Sequence, residues 1–202
     1  MHPLDPTLQR PGLALRHWPA WLPEPDRLLE TLQQQIHWRQ EQITLFGRTH
    51  ALPRLTCWMA DPGLRYRYSG LEQQADPWLD DLDALRTRLS SLCGHPLNSL
   101  LLNFYRDGAD AMGCHADDEP ELEPGASIVS LSLGATRTLR FKPKPRSGVA
   151  AGSPGLSLEL GHGDVLLMDP PTQQHWLHEL PRRKRVDQPR INLTFRQLRA
   201  PN

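Results

Sequence analysis

Between residues 97 and 119 the chain carries Asn103, Tyr105, His115 and Asp117 where extended backbone would aim them at one point. Alternate side chains of a strand share a face, so Leu101, Asn103 and Tyr105 project together, and beyond a turn at Asp107-Gly108, His115 and Asp117 again share parity. One imidazole and one carboxylate make an incomplete metal site. The segment His175-Trp176-Leu177-His178 offers a third donor, with His178 and His175 as competitors on opposite strand faces. Two His and one carboxylate with open coordination positions form the facial triad of non-haem Fe(II) oxygenases, whereas a lone His-x-Asp is more often a solvated, acidic hairpin end.

A second constellation strengthens the first. Residues 190–196 alternate, placing Arg190, Asn192, Thr194 and Arg196 on one face and Ile191, Leu193 and Phe195 on the other. If the apolar face enters a core, the polar face presents two guanidinium groups, which suit a small dicarboxylate because Arg binds carboxylates bidentately; the plain alternative is an edge strand with a wet basic face. Leu45-Phe46-Gly47 puts two large apolar residues at a loop tip, followed by Arg48 and His50. Such a tip is either a buried strand end or a wedge for a base stack, with Gly47 allowing the tight turn and Arg48 reaching phosphate. Residues 63–70 interleave aromatic and basic side chains, with Tyr66 and Tyr68 on one strand face as flat stacking surfaces and Arg65 and Arg67 on the other. The cluster Arg182, Arg183, Lys184 and Arg185 follows the proposed ligand strand and can hold a phosphate backbone without reading sequence, or simply be a solvated loop. Arg137, Arg140, Lys142, Lys144 and Arg146 form a more dispersed basic set.

The elements that must position these residues are short. Leu28, Leu29, Leu32 and Ile36 fall at helical spacing behind Asp26 as a cap, and Trp78, Leu82, Leu85 and Leu89 do so behind Asp76 and Pro77, with Gly94 as the stop. Strands are expected near residues 97–105, 128–133, 138–142, 156–160, 165–168, 175–180 and 190–196, and a mobile Pro-, Gly- and Ser-rich loop over 143–154. The fold class is α+β, mainly β: a double-sheet jelly roll, or double-stranded β-helix, buttressed by two N-terminal helices. Residues 1–24 are expected as an irregular arm and 25–202 as a single domain, with helices and a recognition segment in 25–96 and the jelly-roll core in 97–202. The 202 residues suffice for one core, and the zero formal net charge hides an acidic excess before residue 123 and a basic excess after it, which suggests one face that meets phosphate. Three cysteines without CxxC spacing argue against a disulfide framework and for a reducing compartment; with no apolar leader and no run of membrane-spanning length, a cytoplasmic protein is expected.

Taken together, Asn103-x-Tyr105, His115-x-Asp117, Trp176-Leu177-His178-Glu179-Leu180-Pro181 and Pro189-Arg190-Ile191-Asn192-Leu193-Thr194-Phe195-Arg196 resemble the AlkB family of Fe(II)- and 2-oxoglutarate-dependent nucleic-acid demethylases, most of all its branch that repairs double-stranded DNA. The resemblance implies Fe(II) on His115, Asp117 and His178, with 2-oxoglutarate and O2 as cosubstrates. It further implies that Arg190 holds the distal carboxylate of 2-oxoglutarate with help from Tyr105 and Thr194, and that Arg196, Asn103 and Asn192 hold the chelating end. It gives Phe46, Gly47 and Arg48 the role of a hydrophobic finger, Tyr66 and Tyr68 that of lining a flipped-base pocket, and Asp118, with Glu119 beside it, a contact to the base. Arg182, Arg183, Lys184 and Arg185 become a phosphate-binding loop. The implied reaction couples decarboxylation of 2-oxoglutarate to succinate with hydroxylation of an N-alkyl carbon, which leaves as formaldehyde. DNA is the expected partner, RNA the next, and a monomer the expected state. RNA is also the alternative substrate for such an oxygenase, whereas one acting on protein or a small molecule would have no use for the Phe46 wedge or the Arg182 cluster, a zinc hydrolase none for Arg190 and Arg196, and a non-catalytic nucleic-acid-binding module none for the ligands.

Overall fold

The computed structural model describes residues 8–45, 47–64, 66–68, 71–73, 75–150 and 152–199; of 44, 45, 66–68 and 71–73 it describes the backbone alone. In chain order, β1 (Ala14–Trp18) precedes α1 (Pro25–Gln35) and a hairpin of β2 (Gln42–Leu45) and β3 (Arg48–Ala51). Then β4 (Leu55–Ala60) and a short pair, β5 (Tyr66–Tyr68) and β6 (Leu71–Gln73), lead to α2 (Asp80–Cys93). The remainder is β7 (Ser99–Tyr105), β8 (Met112–His115), β9 (Ile128–Gly134), β10 (Arg137–Pro143), β11 (Leu156–Leu160), β12 (Val165–Asp169), the one-turn α3 (Thr172–His175), β13 (Trp176–Leu180) and β14 (Arg190–Arg196).

Two antiparallel sheets form the body: a major one ordered β1-β12-β9-β14-β7-β4 and a minor one ordered β11-β10-β13-β8. Alternation in the sequence decides what each face of the major sheet meets. Ile191, Leu193 and Phe195 of β14 join Leu100 and Leu102 of β7, Leu131 and Leu133 of β9, and Val165 and Leu167 of β12 in a layer closed by Leu32 of α1 and Leu82, Leu85 and Leu89 of α2. On the opposite face, Tyr105, Ile128, Leu166 and Met168 pack against Leu139, Phe141, Leu160, Trp176 and Leu180 of the minor sheet. Each such fully buried side chain contributes about 1.5–3 kcal/mol, so the two layers fix the sheet spacing. Between the sheets, one patch departs from this apolar rule. There β7, β9 and β14 present Asn103, Ser130, Ser132, Arg190, Asn192, Thr194 and Arg196, all at least partly buried.

β14 pairs with β7 on one side and β9 on the other, with Asn192 opposite both Asn103 and Ser132, so it is a central strand and its basic face is not wet. Four other expectations are corrected. Residues 1–24 are not irregular throughout, because Ala14–Trp18 adds β1 to the edge of the major sheet against β12. The N-cap of α1 is Glu24, with φ 51 and no side-chain capping bond, while Asp26 lies inside the first turn and pairs with His162 at 3.0 Å. α2 begins at Asp80, after Leu79, rather than at Asp76-Pro77. Asp76 is drawn off instead to Arg39 at 2.7 Å and accepts from the Cys57 thiol at 3.2 Å. Finally, Asp107-Gly108 does not close a hairpin: β7 lies in the major sheet and β8 in the minor one, so this turn carries the chain between layers. Gly108 sits so close to the 181–189 loop that a Cβ there would come within 1.9 Å of the Arg183 carbonyl oxygen. Its backbone N–H donates to Val186 O and its carbonyl accepts from Arg183 N–H, both at 2.7 Å.

Candidate metal centre and cosubstrate cavity

His115 is the last residue of β8 and pairs across the ladder with His178 of β13, which brings their rings to a 4.2 Å centroid separation. Two residues on, Asp117 turns inward, its backbone N–H donating to Gln173 Oε1 at 3.0 Å. Its carboxylate lies 3.7 Å from His115 Nε2 and 3.9 Å from His178 Nε2, and one ligand atom from each of the three lies within 4.8 Å of the others. Among the described residues this is the one group of three or more potential ligands so gathered. His175 stands apart. It ends α3 rather than lying on a strand, and its Nδ1 bonds the Ser147 carbonyl at 2.7 Å.

The protonation states suit ligation. Burial alone would raise the Asp117 carboxyl, but the Arg196 guanidinium, which donates to Oδ1 at 2.9 Å, and the two imidazoles hold it well below the usual carboxylate range. Burial and the neighbouring His115 push His178 down to about 3, leaving its lone pair available. An ionised carboxylate and a neutral imidazole converging on one point are what a divalent cation needs from its ligands.

The cavity above these groups is lined by Asn103, Tyr105, Ser130, Arg190, Asn192, Thr194 and Arg196, with Met112, Leu139, Leu160, Met168 and Leu180 as its apolar walls. Arg190 is buried; burial lowers its pKa to about 10. It donates to Ser132 Oγ at 2.7 Å and to Leu160 O at 3.2 Å, while its buried Nε finds no partner among the described residues. A buried guanidinium with donors to spare beside a metal site fits the carboxylate of an anionic cosubstrate, since an unmet donor there is costly. Asn192 donates to Ser130 Oγ and accepts from the Thr194 hydroxyl, and Asn103 Oδ1 accepts from Arg54 Nε at 2.8 Å. Sequence reading missed Arg54, Gln173, Ser130 and Ser132. The last two were detectable, because Ser130 and Ser132 alternate with Leu131 and Leu133 along β9.

The substrate-side residues are more scattered. Leu45 pairs with Arg48 at the end of the β2–β3 hairpin, with Gly47 at φ 75 in open space and Arg48 exposed; Phe46 lies outside the described residues. In the β5–β6 ladder Tyr66 stands opposite Gln73 and Tyr68 opposite Leu71, but their side chains lie outside the described set. Asp118 is exposed and pairs with Lys144, while Glu119 lines an adjoining cavity that reaches Asp117 and Arg196. Arg182, Arg183, Lys184 and Arg185 are all exposed, Arg183 bonding Glu159 at 2.9 Å. Arg137 does not belong with the dispersed basic set. It is buried and donates to the carbonyls of Asp107, Asp110 and Pro181, so it holds loops rather than phosphate. The 143–154 loop is fastened at its start by Lys144 N–H to His175 O at 2.8 Å, and Val149 packs against the inter-sheet core. Among the described residues no helix is long and apolar enough to cross a membrane.

Comparison with known proteins agrees with this architecture. The chain is 40% identical over 184 residues to the mouse (Mus musculus) DNA oxidative demethylase ALKBH2, a match covering 87% of this chain and 75% of that one. It is 38% identical over 180 residues to the human (Homo sapiens) ALKBH2, covering 87% and 69%. To the mouse alpha-ketoglutarate-dependent dioxygenase alkB homolog 3 it is 40% identical over 179 residues, covering 87% and 62%. The solved structure of OsALKBH1, at 20% identity, superposes with a TM-score of 0.58 over 96% of this chain, a likeness of fold. The family model of the 2OG-Fe(II) oxygenase superfamily matches residues 14–196, from β1 through the last residue of β14; the chain belongs to that superfamily and, within it, to the AlkB family of Fe(II)- and 2-oxoglutarate-dependent dioxygenases.

Proposed function

We propose that this protein oxidatively dealkylates N-alkylated bases in DNA, duplex DNA foremost, and so repairs alkylation damage. The observation that carries the reading is the juxtaposition across one cavity of His115, Asp117 and His178 with the buried Arg190 and Arg196 of β14. The relatives named DNA oxidative demethylase support the substrate class.

His115, Asp117 and His178 would hold Fe(II), which with 2-oxoglutarate and O2 supplies the oxidising power that converts the cosubstrate to succinate and CO2 and hydroxylates the N-alkyl carbon. The chain's own residues do the rest. Arg190 binds the distal carboxylate of 2-oxoglutarate, bordered by Tyr105 and Thr194. Arg196 keeps Asp117 ionised and, with Asn103 and Asn192, orients the end nearest the metal. His178 is buried and His115 half-buried, so the His115 side is the one on which a base would approach. Extruding that base costs least where alkylation has already spoiled its pairing. Phe46, the residue after β2 in the sequence, fills the vacated stack, Tyr66 and Tyr68 flank the extruded base, and Arg182, Lys184 and Arg185 hold the backbone.

The test is formaldehyde release from matched N-methylated oligonucleotides presented as duplex DNA, single-stranded DNA and RNA. Fastest release from the duplex is expected. Release from single strands alone would remove the duplex assignment, and none from any oligonucleotide would remove the DNA reading.

A further inference from the structure

The strand β10 ends at Pro143, and the residue that follows is tied twice to residues that neighbour the metal ligands in the chain. The Lys144 backbone N–H donates to the His175 carbonyl at 2.8 Å, and the His175 ring bonds the Ser147 carbonyl at 2.7 Å, so the first turn of the loop is fastened to the α3–β13 junction three residues before His178. From that anchor the Lys144 ammonium reaches Asp118 Oδ2 at 2.6 Å. Asp118 directly follows the ligand Asp117. The Lys144 side chain is 18% exposed and that of Asp118 59%, so the ammonium is held while the carboxylate stays reachable. The Lys144 charge is also among those that lower the basicity of His178, a sign of how near the centre it stands.

We propose that Lys144 is a specificity-determining residue: an internal counter-cation that Asp118 exchanges for the positive charge of an alkylated base. The inference rests on the DNA-dealkylation reading above and adds how the same site sorts its substrates. Alkylating a pairing ring nitrogen of adenine or cytosine leaves a base that is cationic at neutral pH, whereas the same change at guanine or thymine displaces a proton and leaves the base neutral. A cationic base compensates Asp118 for the ammonium it displaces, and the displaced Lys144 is free to turn to solvent or phosphate. A neutral base offers no such compensation, so it is accommodated only while Lys144 keeps Asp118 paired. Lys144 therefore sets how sharply Asp118 discriminates by charge. Because the pair is partly solvated, the exchange is cheap enough to occur at each binding event.

KM and kcat for formaldehyde release are to be measured with the iron- and 2-oxoglutarate-loaded full chain on duplexes carrying 1-methyladenine (cationic) or 1-methylguanine (neutral). Lys144→Met is expected to lower KM for the cationic lesion by about threefold, the scale of one partly exposed ion pair, and to raise KM for the neutral one, with kcat little altered. Lys144→Arg should keep the wild-type ratio. Asp118→Asn should by itself erase the preference for charge, a reading that holds even if Lys144→Met is poorly folded, and should make Lys144→Met silent on that ratio in the double variant. An equal change on both lesions would make Lys144 a phosphate contact or a structural residue and overturn the inference. So would a fall in the preference for the cation. If the wild-type protein forms succinate but releases formaldehyde from neither duplex, it is the underlying function that fails.

Discussion

A carboxylate as buried as Asp117 would ordinarily keep its proton, and the reason it does not is Arg196. The two arginines of β14 are therefore not equivalent, although they share a face. Arg190 touches Ser132 and the Leu160 carbonyl and no ligand of the metal centre, so Arg190→Ala should raise the 2-oxoglutarate requirement by roughly tenfold to a hundredfold, the loss of one charge-assisted pairing, while iron is retained. Arg196→Ala removes the partner of Asp117 as well, and should weaken iron retention and cosubstrate use together. Succinate yield titrated against 2-oxoglutarate, beside iron content after gel filtration, checks both; unchanged curves for the two variants would remove the cosubstrate role of β14. At this scale the site was legible wherever a local period carried it: the alternation of Arg190, Asn192, Thr194 and Arg196, and the parity of His115 and Asp117. It was illegible where a partner lies far off in sequence. Arg54 meets Asn103 across 49 residues and Gln173 meets Asp117 across 56, and nothing near Arg54 or Gln173 announces either interaction.

At the scale of the element, β14 links the helix-backed core to the site, one face to each. Leu193, fully buried opposite the arginines, is the residue on which that arrangement leans: Leu193→Ala should cost about 2–5 kcal/mol, read as a lower urea midpoint with an unchanged slope. Arg137 on β10 tests a different point. Its side chain meets three backbone carbonyls that would lose their donor, so Arg137→Ala should lower the melting temperature, at about 1–3 kcal/mol, without changing the salt dependence of DNA binding. A stable variant with a shallower salt slope would return Arg137 to the phosphate-binding set. The strands β7 and β9 to β14 were readable because apolar and polar residues alternate between turn residues; β11 and β14 coincide with the expected ranges, and the stripe of α2 lies where its leucines put it. The missed pieces have physical causes. β4 reads Leu-Thr-Cys-Trp-Met-Ala, an almost continuous apolar run without a clear period, and β1 is a five-residue edge strand set in a Pro-rich stretch. The helix starts were misplaced because Asp26 and Asp76, plausible caps in isolation, are engaged by His162 and Arg39.

At the scale of the whole molecule the charge asymmetry becomes a surface: Arg182, Lys184 and Arg185 lie exposed on the loop after β13, bound to the β7–β8 turn through Gly108 and Arg183. Replacing these three by Gln should weaken binding to duplex and single strand alike and flatten the log–log salt dependence by about 0.9 for each phosphate no longer neutralised. Phe46→Ala should behave otherwise, cutting activity on methylated duplex far more than on the same single strand, since only a duplex needs its broken stacking replaced. A stable Phe46→Ala protein that loses both activities equally would rule out the wedge. All of this presupposes that iron sits on His115, Asp117 and His178 and that its oxidising power reaches an alkylated base. The most direct test measures iron content, succinate and formaldehyde together on a methylated duplex for the wild-type protein, His178→Ala and His175→Ala. The expected result is equal formation of succinate and formaldehyde by the wild type, loss of iron and of both products in His178→Ala, and retention of all three in His175→Ala. Iron and turnover kept by His178→Ala but lost by His175→Ala would contradict the ligand set, and succinate without formaldehyde in the wild type would contradict the function.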